Sequence, residues 1–377
     1  MYKICVYAIA KNESKNVEEW VKSMSPADHI IVLDTGSTDD TVEKLRSLGV
    51  EVHEKHYDHF RFDVARNDCL DLVPDDYDIL VSIDLDERFE DPNWANIVKE
   101  NWDPNRPRMT YNYVWNHSES GEPGTIFLCN KIHSKTPNLR WEGAAHEHLW
   151  YQDAHTRLFT DEQSVFLGDK IVVHHYSDFE KDRSFYTDLL EERVQESPDD
   201  GYSWIMLGNE YRSKEEWEKA IDCYERCFYD FAEQYDLNTY CCLYYWLGFC
   251  YWHAGDAVVA WNLFSEGIAK NPFYRDNYYG LAIIMLGNHL LELALGTVLE
   301  ALKTSKRLFC WMEDPLTWTF GMYDLLAAIY AEQGKIDLAL QAEEIALNID
   351  PSDEFLIESY NRYKQLYENQ KESQCVF

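Results

Sequence analysis

The stretch Ile79-Leu-Val-Ser-Ile-Asp84-Leu-Asp86-Glu87 runs from a nearly apolar segment into three carboxylates. A short apolar run that ends this way reads as a strand buried on both faces of a sheet. Side chains two apart on an extended strand point the same way, so Asp84 and Asp86 are expected to emerge together at one sheet edge. There they would share one hard cation held by oxygen ligands, and such a cation would neutralise a diphosphate. Taken alone, an Asp-x-Asp in an acidic chain is more often a solvated turn than a site.

The preceding residues change that balance. Lys3 to Ala10 reads as a buried strand, followed by polar Lys11-Asn12-Glu13-Ser14 and a helix marked by Val17, Trp20, Val21 and Met24. His29 to Leu33 is a second strand, ending in Asp34-Thr-Gly36-Ser37-Thr38-Asp39-Asp40. The next helix is expected to be capped by Ser37 or Thr38 and to stop at Leu48-Gly49. Val50 to Val52 gives a third strand and Phe62 to Leu72 a helix before the carboxylate-bearing strand. Alternating strands and helices imply a mostly parallel sheet, in which ligands bind outside the carboxyl ends of the strands. Ala8 to Glu13, Asp34 to Ser37 and Asp84 to Glu87 are all such ends, so they should converge on one crevice.

Four fragments then carry a family resemblance: Ala8-Ile-Ala-Lys-Asn-Glu13, Val32-Leu-Asp34-Thr-Gly-Ser37-Thr-Asp39, Ala65-Arg66-Asn67 and Ser82-Ile-Asp84-Leu-Asp86-Glu87. In this order they resemble family 2 glycosyltransferases, whose fold is the Rossmann-like α/β GT-A domain. The resemblance implies that the loop carrying Ala8, Asn12 and Glu13, together with Asp34 and Ser37, holds the base and ribose of a nucleotide. Arg66 would reach the base or diphosphate, Asp84 the ribose, and Asp86 a Mn²⁺ or Mg²⁺ ion bridging the phosphates. Asp34 has the alternative of helix capping, and Arg66 that of an internal ion pair.

Residues 91–178 are less regular, and their Trp94, Trp102, Trp115 and Trp141 either line a sugar-acceptor groove or pack internally. Two histidine clusters follow, Arg140-Trp-Glu142-Gly143-Ala-Ala-His146-Glu147-His148 and Ile171-Val-Val-His174-His175-Tyr176. By the same resemblance Glu147 is the candidate general base, with Glu142 as the alternative. His175 is the candidate metal ligand, with His174 competing because the doubled histidine leaves the register open. Family 2 members invert configuration, so an acceptor oxygen or sulfur would attack the anomeric carbon opposite the departing diphosphate, with no covalent intermediate.

From Phe179 onward the strand pattern gives way to helices. Trp204-Ile-Met-Leu207-Gly208-Asn-Glu-Tyr211, with Ala220 and Tyr224 after it, matches a tetratricopeptide repeat. The pattern recurs from Tyr244, Tyr278 and Tyr323, at steps of 40, 34 and 45 residues. The middle step equals the usual unit, so the longer ones imply insertions near 231–240 and 308–319. A last helix, about Phe355 to Tyr367, would cap the stack, with a frayed tail after it. The expected architecture is thus a GT-A domain over 1–178 and an all-α tetratricopeptide-repeat domain over 179–377. It resembles bacterial family 2 enzymes that include the sublancin-type peptide S-glycosyltransferases.

Composition limits the partners. With 34 Lys+Arg against 68 Asp+Glu the net charge is −34, which disfavours nucleic acid. Ten cysteines with no Cys-x-x-Cys pair read as reduced core residues. Neither a secretory peptide nor a membrane span is legible, so a cytoplasmic protein is expected. The implied partners are a nucleotide-sugar donor, most simply a UDP-sugar, and a protein, peptide or glycan acceptor, with a homodimer through the repeats as a further arrangement. The competing readings are a catalytically idle nucleotide-binding scaffold and a glycosyltransferase acting on modified DNA bases.

Overall fold

The computed structural model describes residues 2–117, 121, 123–151, 164–176, 185–305, 307, 310 and 312–375. The chain forms two compact units, Met1–Glu196 and Ser197–Phe377. The boundary expected at 178/179 falls outside the described residues.

In the first unit, β1 (Ile4–Ala10), α1 (Val17–Met24), β2 (His29–Asp34), α2 (Thr41–Ser47), β3 (Glu51–Glu54), α3 (Phe62–Leu72) and β4 (Ile79–Ser82) alternate as expected. Their strands lie in the order β3-β2-β1-β4 and are all parallel. Next come β5 (Glu87–Phe89), α4 (Trp94–Asn101), β6 (Arg108–Val114), β7 (Ile126–His133), β8 (Leu139–Glu142), β9 (His148–Tyr151), β10 (Ser164–His175) and α5 (Tyr186–Glu196). The eight-stranded sheet continues past β4 as β7-β6-β10-β5. There β7 runs antiparallel to β4 and β6, β10 parallel to β6, and β5 antiparallel to β10. The sheet is therefore Rossmann-like and parallel on its β3-β2-β1-β4 side and mixed beyond it. Strands β8 and β9 pair separately.

Alternation along β1 explains why the whole strand is apolar. Ile4, Val6 and Ala8 join a core with Trp20 of α1 and Trp94 of α4. Cys5 and Tyr7 face the opposite layer, with Cys69 and Leu70 of α3 and with Trp141 and Leu149 of the β8-β9 hairpin. Removing each large apolar side chain from water contributes roughly 1.5–3 kcal/mol. Helix α2 starts later than the expected caps. Asp39 Oδ1 accepts the Thr41 amide at 3.1 Å, while Ser37 and Thr38 are tied into the neighbouring loops. Gly49, at φ +83°, ends it as expected.

The second unit is a run of paired helices: α6 (Gly201–Ser213) with α7 (Trp217–Asp230), α8 (Leu237–His253) with α9 (Ala257–Lys270), α10 (Arg275–Gly287) with α11 (Leu291–Leu302), and α12 (Gly321–Glu332) with α13 (Ile336–Ile349). Helix α14 (Glu354–Cys375) closes the stack and continues well past Tyr367, where fraying was expected. The small residues sit at the close approaches. A Cβ on Gly208 would lie 2.8 Å from the Tyr224 ring, and one on Gly280 would lie 2.5 Å from Phe264. The first insertion holds a 3₁₀ turn at Ala232–Gln234; of the second, partly outside the described residues, Pro315–Trp318 forms another. Among the described residues no helix is long and apolar enough to cross a membrane.

Candidate functional site

Parallel register aligns the ends of β1, β2 and β4, pairing Ala10 with Asp34 and Tyr7 with Ser82. The loops after these strands are stitched together. Asn12, in the left-handed region at φ 55°, donates its amide to Ser37 Oγ at 2.8 Å and accepts the Thr38 amide on Oδ1 at 2.7 Å. Asp34, 2% exposed, accepts the Gly36 and Ser37 amides, each at 2.9 Å, and the Ser37 hydroxyl at 2.5 Å. Its carboxylate shapes the loop after β2 rather than capping α2. The Glu13 amide donates to Thr41 Oγ1 at 2.8 Å, and its Oε2 accepts from Asn16. Ala8 does not face the crevice: its methyl lies in the core and its carbonyl accepts the Cys69 thiol.

The acidic turn differs from the expected geometry. β4 ends at Ser82, so the chain through Asp84 and Asp86 is a turn and the two carboxylates part. Asp84 receives both Arg66 amine groups, at 2.7 and 2.8 Å, and Lys131 Nζ at 3.2 Å. Arg66 Nε also donates to Glu147 Oε1. The internal ion pair considered for Arg66 is thus present, and it joins α3, the acidic turn and the loop before β9. Burial alone would raise the Asp84 pKa, but Arg66 and Lys131 outweigh it and hold the carboxyl well below its ordinary range. Glu87, 1% exposed, accepts Lys131 Nζ at 2.7 Å, Tyr113 OH at 2.6 Å and the Asp84 amide at 2.9 Å. Burial, then Asp84 and Asp86, push its pKa up against the pull of Lys131.

Asp86 meets β10 instead. Its Oδ2 lies 3.4 Å from His175 Nε2, and His175 Nδ1 donates to the Trp115 carbonyl at 2.9 Å. That hydrogen bond turns Nε2 toward the carboxylate, the arrangement by which a backbone carbonyl fixes a metal-binding imidazole. Burial opposes charge on His175, yet Asp86 raises its pKa on balance. Neighbours on a strand face opposite ways: His174 pairs with His117 at 2.8 Å and lies 3.6 Å from Glu90. Among the described residues no group of three or more His, Cys, Asp or Glu is arranged to hold a metal by itself. The Asp86–His175 pair offers one oxygen and one nitrogen donor, types that a divalent ion accepts.

Glu147 is held by the backbone around it. Asn67 on α3 exchanges two hydrogen bonds with the Trp141 backbone, at 2.8 and 3.0 Å. Asp63 accepts the Gly143 amide at 3.0 Å, and the Ala144 carbonyl accepts the Phe62 amide. Gly143, at φ +117°, abuts Arg193 of α5, while Arg61 pairs with Glu192 and Glu196 of the same helix. Beneath the loop, Trp141 Nε1 donates to Tyr7 OH and Tyr7 to His133 Nε2, each at 2.8 Å; burial keeps His133 neutral by pushing its pKa down to about 4. Glu142 ends β8 opposite His148.

Trp94, Trp102 and Trp141 are buried packing residues. Trp115 is 42% exposed and stacks on His175 at 4.7 Å. Lys131, Tyr113 and Asn67 carry parts of the site to which no sequence pattern assigns a role. The one legible signal for Lys131 was a lone charge in the half-apolar segment Ile126–His133.

Residues 5–128 match the family model Glycosyl transferase family 2. The matched span contains Asp34, Arg66, Asp84 and Asp86 and stops before Lys131, Glu147 and His175. It supports a glycosyltransferase. The helical region matches solved tetratricopeptide-repeat proteins. TTC0263, a thermophilic protein from Thermus thermophilus, is 17% identical, with 48% of this chain and 89% of that chain covered and a TM-score of 0.39. MamA is 18% identical, covered at 47% and 96%, with a TM-score of 0.35. YrrB, described as a TPR protein with an unusual peptide-binding site, is 14% identical, covered at 47% and 83%, with a TM-score of 0.35. These scores carry no argument about what the repeats bind.

Proposed function

We propose that the first unit is a metal-dependent inverting glycosyltransferase that moves a sugar from a nucleotide-diphosphate donor, a UDP-sugar, to a protein, peptide or glycan acceptor. The observation that carries this reading is the meeting of Asp86 with His175, whose other ring nitrogen is fixed by Trp115, beside carboxylates already neutralised by Arg66 and Lys131. The family match over residues 5–128 points the same way.

In this reading the loops bearing Asn12, Glu13, Asp34 and Ser37 bind the nucleotide, with Asp34 acting through the loop it organises. Arg66 and Asp84 border the ribose and diphosphate, and Asp86 and His175 hold Mn²⁺ or Mg²⁺. When bound, that ion supplies Lewis-acid stabilisation of the leaving diphosphate, worth several kcal/mol in such reactions. Glu147 takes the acceptor proton through Oε2, because Arg66 anchors the carboxylate by Oε1; a positioned base contributes roughly 10²–10⁴-fold. The acceptor displaces the diphosphate from the opposite face in one step.

The helical unit would recruit the acceptor, a sublancin-type peptide thiol being one candidate, or a second copy of the chain. Nine described cysteines are free, which suits a reducing compartment such as the cytoplasm. A thermal-shift panel of nucleotide sugars with and without Mn²⁺, followed by product analysis on the best donor, tests the proposal. Metal-dependent stabilisation by one donor class, with sugar transfer or slow hydrolysis, supports it. Stabilisation without any turnover of the sugar across all acceptors overturns it.

A further inference from the structure

Trp20, Trp94, Trp102 and Trp141 are buried in the first unit, whereas Trp115 is 42% exposed. A single exposed ring is ordinary on a protein surface, but this one stands against a proposed metal ligand. Trp115 follows β6, which is parallel to β4 because β7 runs antiparallel to both, and β10 lies parallel to β6. The carboxyl ends of β1, β2, β4, β6 and β10 therefore share one sheet edge, and β6 neighbours the strand that bears His175. The Trp115 backbone is pinned there: its amide donates to the Thr125 carbonyl at 2.9 Å, and its carbonyl accepts from His175 Nδ1 at 2.9 Å. The indole stacks on the His175 ring at 4.7 Å and 28°. Tyr113 and Phe127 approach it only at 6.4 and 6.3 Å, tilted by 37° and 40°.

We propose that Trp115 is a specificity-determining residue whose indole carries the sugar of the nucleotide-sugar donor, a pyranose that presents a face of C–H groups. The assignment rests on the metal-dependent reading above and adds the contact that reads the transferred group. In that reading Asp86 and His175 hold the ion that meets the diphosphate, and a single ester linkage joins the sugar to the diphosphate. The sugar then lies close to these residues, where the indole offers a large apolar surface open to solvent. The negative face of an aromatic ring attracts polarised C–H groups, and ligand sites combine such aromatic walls with a few placed polar groups. A tryptophan that only braced His175 would act through the ion, and so equally on UDP and on its sugar ester.

The test is isothermal titration calorimetry of the full chain with UDP and with UDP-glucose, each with Mn²⁺, on wild type, Trp115→Leu and Trp115→Phe. Leucine keeps apolar bulk without a flat ring, and both changes leave the backbone bond to His175 in place. Wild type is expected to bind both ligands. Trp115→Leu is expected to bind UDP-glucose about five- to tenfold more weakly with its affinity for UDP unchanged, and Trp115→Phe to recover most of the loss. If Trp115→Leu does not fold, Trp115→Met carries the same comparison. Equal weakening of UDP and UDP-glucose, no weakening of either, or wild type that binds UDP but not UDP-glucose overturns the role of the indole and leaves the glycosyltransferase reading standing. Absence of binding of both ligands by wild type overturns both.

Discussion

Arg66 and Asp84 are joined by two parallel hydrogen bonds of 2.7 and 2.8 Å, and the same guanidinium holds Glu147 through Nε. One buried cation thus fixes Asp84 and the candidate base together. Arg66 is 5% exposed, so neither partner is readily compensated by water.

Arg66→Met should be strongly destabilising, because it leaves Glu147 without its cation and Asp84 with Lys131 alone, in a buried setting. Breaking such a pair costs about 3–5 kcal/mol, readable as a lower urea midpoint. Arg66→Lys should recover only part of the loss, since a point charge cannot reproduce the fork. Equal midpoints for wild type and Arg66→Met would remove the case for this network.

Gly143→Ala tests the loop that carries Glu147. At φ +117° a side chain is strained, and its Cβ would lie 3.2 Å from Arg193 Cζ and Nη1. The expected cost is about 1–3 kcal/mol in thermal unfolding, with a fall in turnover at saturating donor. Unchanged turnover would show that Glu147 is not positioned through this loop.

In the helical unit, Gly280→Ala should destabilise even though alanine is the better helix former. The added methyl would sit 2.5 Å from the Phe264 ring, and overpacking costs about 1–3 kcal/mol. Donor binding should not change. A more stable variant would contradict the close helix approach.

Glu343 gives this unit a pH dependence. It lies fully buried on α13, and burial together with Asp324 of α12 pushes its pKa to about 8 from an ordinary 4.5, against the pull of Arg362 on α14 and with Asp353 adding to the rise. Asp324 is raised in the same direction. A folded-state pKa above the unfolded value means that this contribution is fully present below about pH 4.5 and is lost as pH rises through 8. Melting temperatures should fall across that window, by up to about 1.4 kcal/mol of stability per pH unit, and Glu343→Gln should flatten the slope. A wild-type curve as flat as the variant's would contradict this.

The parallel half of the sheet was legible because β1, β2 and β4 are continuous apolar runs that end in polar loops, and the repeats because small and aromatic residues recur at helical spacing. The mixed half was not legible. β6 and β10 are neighbours in space although β6 ends at Val114 and β10 begins only at Ser164, and aromatics there serve strands and loops alike. The carboxylates of Asp84 and Asp86 do not leave the sheet side by side, because the alternation rule holds only while the strand continues, and β4 stops at Ser82. His175 was not separable from His174 in the sequence, whereas the β10 pairing with β5 sets His175 opposite Glu87 and His174 opposite Arg88. Lys131 left only a single charge in a strand as its trace.

The central claim is that Asp86 and His175 together hold the ion that meets the donor diphosphate. Anomalous scattering from crystals grown with Mn²⁺ and UDP tests it most directly. The account predicts a manganese peak within about 2.5 Å of Asp86 Oδ2 and His175 Nε2, with the diphosphate completing its shell. UDP bound in the crevice with no manganese there, or manganese seated on Asp84 and Glu87, would contradict it.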